Sequence, residues 1–355
     1  MDARKIGNLF FIGFNGTEFT PDVRDLIDDL HPSGVILFSR NIVDPVQTAE
    51  LNHDLQSHAQ SLWGHGIFIG VDQEGGRVRR LREPFRAFPP ALELASSPDP
   101  EEAVREFARV TARETRLVGF NLDFVPVLDV LRSEETERSS VIGDRAYGQD
   151  PRSVWFLGKL VIEGMRAGGI APCAKHFPGH GGTCVDSHKD LPVDDRSLET
   201  MESCDLIPFR NAADHQIEMM MTAHVLYPAL DEHLPATLSP RVITGLLRRE
   251  MSYNGVVITD DLDMGAVAGH YSAAECAFNA FSAGVDLLMI CNNPDKAFSA
   301  RDRLLRATKE GEISEEQVTQ SLGRIADLRS RYSASMKPCD KKAVRDYFSQ
   351  SVVKL

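Results

Sequence analysis

Residues 170–192 read IAPCAKHFPGHGGTCVDSHKDLP. The first five form an apolar run of the length and type of a buried strand. The run turns polar at Lys175 and His176, and Pro178-Gly179-His180-Gly181-Gly182 can continue neither a strand nor a helix. Asp186 and His188 follow, two residues apart. A buried strand thus delivers a cation and an imidazole to its C-terminal end. A glycine-rich loop, expected to be mobile over 177–190, then carries an acid and a second imidazole. This is the catalytic edge of an enzyme, and the rest of the chain is read as its scaffold.

Seven more short apolar runs flank this one: 9–14 (LFFIGF), 34–38 (GVILF), 67–71 (IFIGV), 122–127 (LDFVPV), 219–222 (MMMT), 255–259 (GVVIT) and 285–290 (VDLLMI). They are aliphatic and do not alternate with polar residues, as strands covered on both faces should be. Amphipathic segments separate them. One helix is expected over 100–118. Another starts at Ser314, where Ser-Glu-Glu-Gln has capping-box form, and runs to about Arg331. Eight strands alternating with helices fit an α/β fold of the (β/α)8 TIM-type barrel class, one domain over 1–335, with irregularity at the first strands. A doubly wound open sheet is the competing architecture, but no glycine-rich phosphate fingerprint follows the first strand. A polar tail, 336–355, is expected to pack on the barrel, with a short surface helix over 344–355.

Composition bounds the function. A formal net charge of -13 disfavours binding to nucleic acid phosphates. The six cysteines, Cys173, Cys184, Cys204, Cys276, Cys291 and Cys339, form no CxxC pair and read as free thiols of a reducing compartment. No run approaches the roughly 20 apolar residues of a membrane span, and the early apolar run is too short for a signal peptide. A cytoplasmic monomer without membrane contact is expected.

In a barrel of this kind the site lies at the C-terminal ends of the strands. Polar groups stand at those ends: Arg40-Asn41, Asp72, Gly143-Asp144-Arg145, Lys175-His176, His224, Asp260-Asp261 and Asn292-Asn293. Asp186 beside His188 can fix the imidazole tautomer and raise its basicity, which makes the pair a candidate general acid/base; the alternative is a polar loop in which the two never touch. A carboxylate such as Asp260, emerging from a buried strand, can serve as nucleophile, metal ligand or helix cap. Asp261 is the better cap for a helix over 262–268. His176, His180, His188 and His224 raise the question of a metal. Pro178 and Gly179 break the helix that a His-x3-His site would need, and Lys175 would repel a cation. No metal and no cofactor are expected.

KHFPGHGGTCVDSHKDLP (175–192), VDQEGGRVRR (71–80) and ITDDLDM (258–264) together resemble glycoside hydrolase family 3, in particular its single-domain bacterial β-N-acetylglucosaminidase branch. GVILFSRNI (34–42) and IGDRAYG (142–148) fit as well. The resemblance implies a retaining double displacement. Asp260 would be the nucleophile, His188 the general acid and then base, and Asp186 its orienting partner. Asp72, Arg80, Arg145, Lys175 and His176 would hold the sugar in the −1 site. A histidine in place of the second carboxylate departs from the usual glycosidase pair. The substrate implied is a terminal β-linked GlcNAc, as in GlcNAc–anhydro-N-acetylmuramic acid fragments of cell-wall recycling. Rival readings are a phosphorylase with phosphate as acceptor, a silent sugar-binding barrel and a Lys175 Schiff-base aldolase. The chain departs from the family pattern at Gly182, where an aspartate is usual; Cys184 is a further oddity.

Overall fold

The computed structural model describes residues 1–132, 141–183, 191–333 and 340–351. Within them the eight apolar runs are eight parallel strands: β1 (Phe10–Ile12), β2 (Gly34–Ile36), β3 (Phe68–Val71), β4 (Leu122–Asp123), β5 (Ala171–Phe177), β6 (Met219–Thr222), β7 (Val256–Thr259) and β8 (Leu288–Ile290). Each strand pairs with its sequence neighbour from β1 to β7, and β8 pairs with β1 in the register Phe10↔Leu288. A bridge between Ile258 and Leu287 completes the circuit. The result is a (β/α)8 barrel.

A longer helix follows each strand in turn: Pro21–Leu30, Pro45–Trp63, Pro100–Leu117, Pro151–Ala167, Leu206–Asp214, Arg241–Glu250, Ala273–Ala283 and, after β8, Pro294–Glu310. Several starts are written in the sequence. Thr20, Asp44, Asp99, Asp150 and Asn293 cap their helices through the side chain, and each is followed by proline, whose missing N–H costs nothing in the first turn. Helix Ala273–Ala283 opens with a reciprocal Ser272–Glu275 capping box and ends at Gly284, whose φ of 110° an L side chain would resist.

The barrel interior is filled by side chains. Phe11 and Phe124 meet edge to face with centroids 5.8 Å apart. Gly34 and Gly70 make room for them: a Cβ on Gly34 would lie 2.4 Å from the Phe11 ring, and one on Gly70 would lie 2.9 Å from Phe124. At the N-terminal end two buried carboxylates tie later helices to the strands. Asp286 accepts from Arg248 and Arg324, and Glu218 from Arg166 and Tyr332.

Beyond β8, helix Glu315–Tyr332 starts at Ser314, whose hydroxyl accepts from Gln317 N at 3.1 Å. Helix Lys341–Ser351 buries Val344 and Phe348 and sets Phe348 on Phe85, centroids 4.6 Å apart.

Two features depart from the sequence reading. β5 runs three residues past its apolar stretch, so Lys175 and His176 lie inside the strand, with a register shift against β6 between Ala174 and Phe177. Asp261 does not cap a helix over 262–268, which is shorter and starts after Met264. Its carboxylate accepts instead from Asp263 N and Cys291 N, tying the β7 and β8 ends together.

Candidate active site

The C-terminal mouth of the barrel holds a cavity of about 390 Å³. Asp72, Arg80, Arg145, Lys175, His176 and Asp260, six of the eight residues singled out from the sequence, all line it. The other two, Asp186 and His188, lie outside the described residues, as do Cys184 and Cys339.

β3 and β5 supply the centre of the site. Lys175 Nζ lies 2.8 Å from Asp72 Oδ1 and 2.6 Å from Glu74 Oε1. Arg145, from the turn Gly143–Arg145 after β4, grips Glu74 through two bonds of 2.8 Å, Nε to Oε2 and Nη2 to Oε1. Arg80 Nη2 reaches Asp72 Oδ2 at 3.3 Å. The charges alternate along one chain, Arg80–Asp72–Lys175–Glu74–Arg145. Burial alone would raise the Asp72 and Glu74 carboxyls, but Lys175 with Arg80, and Arg145 with Lys175, hold both below their usual range. Burial likewise opposes the charge on Lys175, and the two carboxylates overcome it and raise its pKa. The ammonium is therefore fully charged at neutral pH, which removes the Schiff-base reading: an aldolase lysine needs a depressed pKa.

Glu74 was not singled out from the sequence. It sits in a short hairpin, Gln73–Gly75 against Val78–Arg79, which turns the chain back so that Glu74 points inward. The glycines at 75 and 76, both at positive φ, were the available signal.

Asp129 was also missed. Fully buried, it accepts from His176 Nδ1 at 2.7 Å, His176 N at 3.1 Å and His180 N at 2.7 Å. It thus fixes the His176 ring and the first turn after β5 together. With Nδ1–H donated to Asp129, the other ring nitrogen of His176 is left for the cavity side. His180 faces Thr183 at 2.6 Å, and burial pushes its pKa down to about 4, so it is neutral.

Asp260 follows β7. Its Oδ1 accepts from Asp261 N at 2.8 Å. Burial would raise this carboxyl, but His176, His224 and Lys175 together with that N–H hold it below the usual range. Behind it His224 is itself buried, bonded to Thr237 at 2.8 Å and to the Asp261 carbonyl at 3.1 Å. Arg40 does not enter the cavity; it donates to the carbonyls of Phe14 and Cys291 and lies over the Phe38 ring.

The glycine-rich turn is closely packed in its described part. Tyr227 Oη donates to Gly179 O at 2.8 Å, and a Cβ on Gly181 would lie 2.1 Å from Val130 O. A Cβ on Gly182 would lie 2.4 Å from the Arg196 guanidinium, which Asp194 and Asp205 hold. Over 177–183 the glycines allow close approach of neighbouring groups; 184–190 lie outside the described residues.

A buried chain of paired charges and the ionised Asp260 meet in a cavity at the C-terminal mouth of a parallel barrel, the place where enzymes of this fold carry their sites. The chain belongs to glycoside hydrolase family 3. Its residues 2–328 match the family model described as the glycosyl hydrolase family 3 N-terminal domain. A β-hexosaminidase of Thiobacillus denitrificans is 42% identical over 288 residues, 79% of this chain and 77% of its own length. One from Methylobacillus flagellatus is 38% identical over 329 residues, 90% and 88% of the two chains. Among solved structures, a family 3 β-N-acetylglucosaminidase from Paenibacillus sp. FPU-7 superposes with a TM-score of 0.89 at 37% identity, over 99% of this chain and 68% of that one. Native NagZ from Neisseria gonorrhoeae gives 0.80 at 30%, over 97% and 96%. The chain is a glycoside hydrolase.

Among the described residues no helix is long and apolar enough to cross a membrane, and no group of three or more His, Cys, Asp or Glu side chains could hold a metal ion.

Proposed function

We propose that this chain is a retaining exo-β-N-acetylglucosaminidase that removes terminal β-linked GlcNAc through a covalent glycosyl-enzyme at Asp260. The observation that carries the reading is Asp260 itself, a carboxylate kept ionised in the cavity by surrounding cationic and hydrogen-bonding groups. An ionised carboxylate is ready to attack an anomeric carbon without first losing a proton. The Asp72–Lys175–Glu74–Arg145 chain gives one end of the cavity a set of charge-assisted partners for sugar hydroxyls, with His176 and Arg80 beside it. Phe38 lines the cavity wall, with the Arg40 and Arg80 guanidiniums over its ring. The names of the relatives, β-hexosaminidases and β-N-acetylglucosaminidases, support GlcNAc as the sugar.

In the proposed reaction His188 gives a proton to the leaving oxygen as Asp260 attacks, then takes one from water as the intermediate breaks. Asp186 orients it. The natural substrate is a GlcNAc–anhydro-N-acetylmuramic acid fragment, with or without peptide, met in the cytoplasm during cell-wall recycling, and the working form is the monomer. The test is product analysis: a β-GlcNAc-muramyl substrate and a β-glucoside offered side by side, with and without phosphate, the anomer followed by NMR. β-GlcNAc released first as the β anomer, and preference for the muramyl aglycone, bear the reading out. A sugar 1-phosphate would make the enzyme a phosphorylase, and the α anomer would exclude a double displacement.

A further inference from the structure

Asp123, the last residue of β4, carries a carboxyl that the reading above leaves unused. It is completely buried. Oδ1 accepts from Gln73 N at 3.0 Å, and Oδ2 has no hydrogen-bond partner among the described residues. β3 and β5 are the strands on either side of β4. The charged groups near enough to act on it are Asp72 and Glu74, from β3 and its hairpin, and Lys175, from β5; the buried Cys173 thiol on β5 is neutral.

The cations nearby are already engaged. Lys175 is shared by Asp72 and Glu74, Arg145 is held bidentately by Glu74, and Arg80 reaches Asp72. Lys175, Arg80 and Arg145 are thus all committed to Asp72 or Glu74, and among the described residues no cation pairs with Asp123. Gln73, whose N–H is bound by Asp123, also holds the far side of the hairpin. Its Oε1 accepts from Arg80 N and Leu81 N, both at 3.0 Å, and its Nε2 donates to Leu81 O. Asp123 therefore tethers, through one residue, the segment that carries Asp72, Glu74 and Arg80.

We propose that Asp123 is a positioning residue for the sugar site: an un-ionised carboxyl that anchors the β3 hairpin to the barrel wall and whose ionisation would unbalance the charge chain beside Asp260. Burial, with Asp72 and Glu74 nearby, raises its pKa to about 8, against the opposing Gln73 N–H and Lys175. The proposal rests on the mouth being the sugar site, and one arm of its test needs no turnover.

In that arm the wild-type enzyme is labelled with aspartate carrying 13C in the side-chain carboxyl, and its NMR shifts are followed with pH. One carboxyl should titrate near pH 8 and be missing from the spectrum of Asp123→Asn; no aspartate titrating above about pH 7 overturns the proposal. In the second arm kcat/KM for an aryl β-GlcNAc glycoside is measured across pH. In wild type kcat/KM should decline above about pH 8; Asp123→Asn, which keeps a neutral acceptor for Gln73 N, should retain activity within about threefold of wild type at pH 7 and lose that decline. Asp123→Ala, which lacks the acceptor, should fall at least about tenfold at every pH. An alkaline decline identical in wild type and Asp123→Asn overturns the coupling to the site. Absence of any turnover in wild type would instead count against the proposed activity, leaving the titration to judge Asp123.

Discussion

At the residue scale, the roles assigned from the sequence and those added by the geometry make separable demands. Asp129 accepts three hydrogen bonds, and its bond from His176 Nδ1 sets the imidazole tautomer. Asp129→Asn would turn an amide N–H toward that nitrogen and force the other tautomer. The expected cost is about 1.5–3 kcal/mol of transition-state stabilisation, roughly 10- to 150-fold in kcat/KM, with the fold retained by circular dichroism. Unchanged kinetics would remove the pair from the site. For His188, outside the described residues, the proposed acid role predicts a pattern. His188→Ala should slow sugar leaving groups far more than activated aryl glycosides, because an aryl oxide of low pKa leaves with little protonation; equal losses would make it a sugar-positioning group. Asp72, Lys175, His176 and Asp260 were legible in the sequence because a charged residue at the end of an apolar run stands out. Glu74, Asp123 and Asp129 were not. Asp123 and Asp129 sit in or just past an apolar stretch, where spacing cannot tell a buried acceptor from a cap, and Glu74 reaches the site only by way of the hairpin.

At the scale of elements, the strands were legible within a few residues because both faces of a parallel barrel are buried and the aliphatic runs show it. The end of β5 was not, because Lys175, His176 and Phe177 continue the strand against the polarity of the sequence, held by pairing with β6 and by Asp129. The turn after β5 is closely packed in its described part. Gly181 packs its Cα against the Val130 carbonyl, so Gly181→Ala should be destabilising by about 1–3 kcal/mol in urea unfolding, the usual cost of overpacking. A neutral result would restore the picture of a loose backbone over 177–183. Helix Lys341–Ser351 meets the segment after the hairpin through Phe348 on Phe85, and Tyr347 Oη donates to Glu114, which also accepts from Arg86 N. Phe348→Ala should cost about 2–4 kcal/mol, a core-type truncation, read as a lower thermal midpoint.

For the whole molecule, the net charge of -13 is a poor guide to the site, where positive and negative groups are matched one against another. That matching has a pH signature. Asp72 and Glu74 are held below their ordinary range, so the stability they contribute is complete above about pH 4.5 and is lost as pH falls through their lowered pKa values. Lys175→Met removes the shared cation and should cost about 3–5 kcal/mol at pH 7, the price of an unpaired buried charge. Without the cation the two carboxyls return toward ordinary values, so this deficit should hold above about pH 4.5 and shrink below it, as pH falls through the lowered wild-type values. A deficit constant with pH would mean that Lys175 stabilises by packing alone. The central claim is that Asp260 forms the covalent bond to the sugar. It is tested most directly by treating the enzyme with an activated 2-deoxy-2-fluoro β-glycoside, digesting the inactivated protein and mapping the label. The account requires the label on Asp260 and none in Asp260→Asn; a label on Asp261 or Asp263, or turnover surviving in Asp260→Asn, would contradict it.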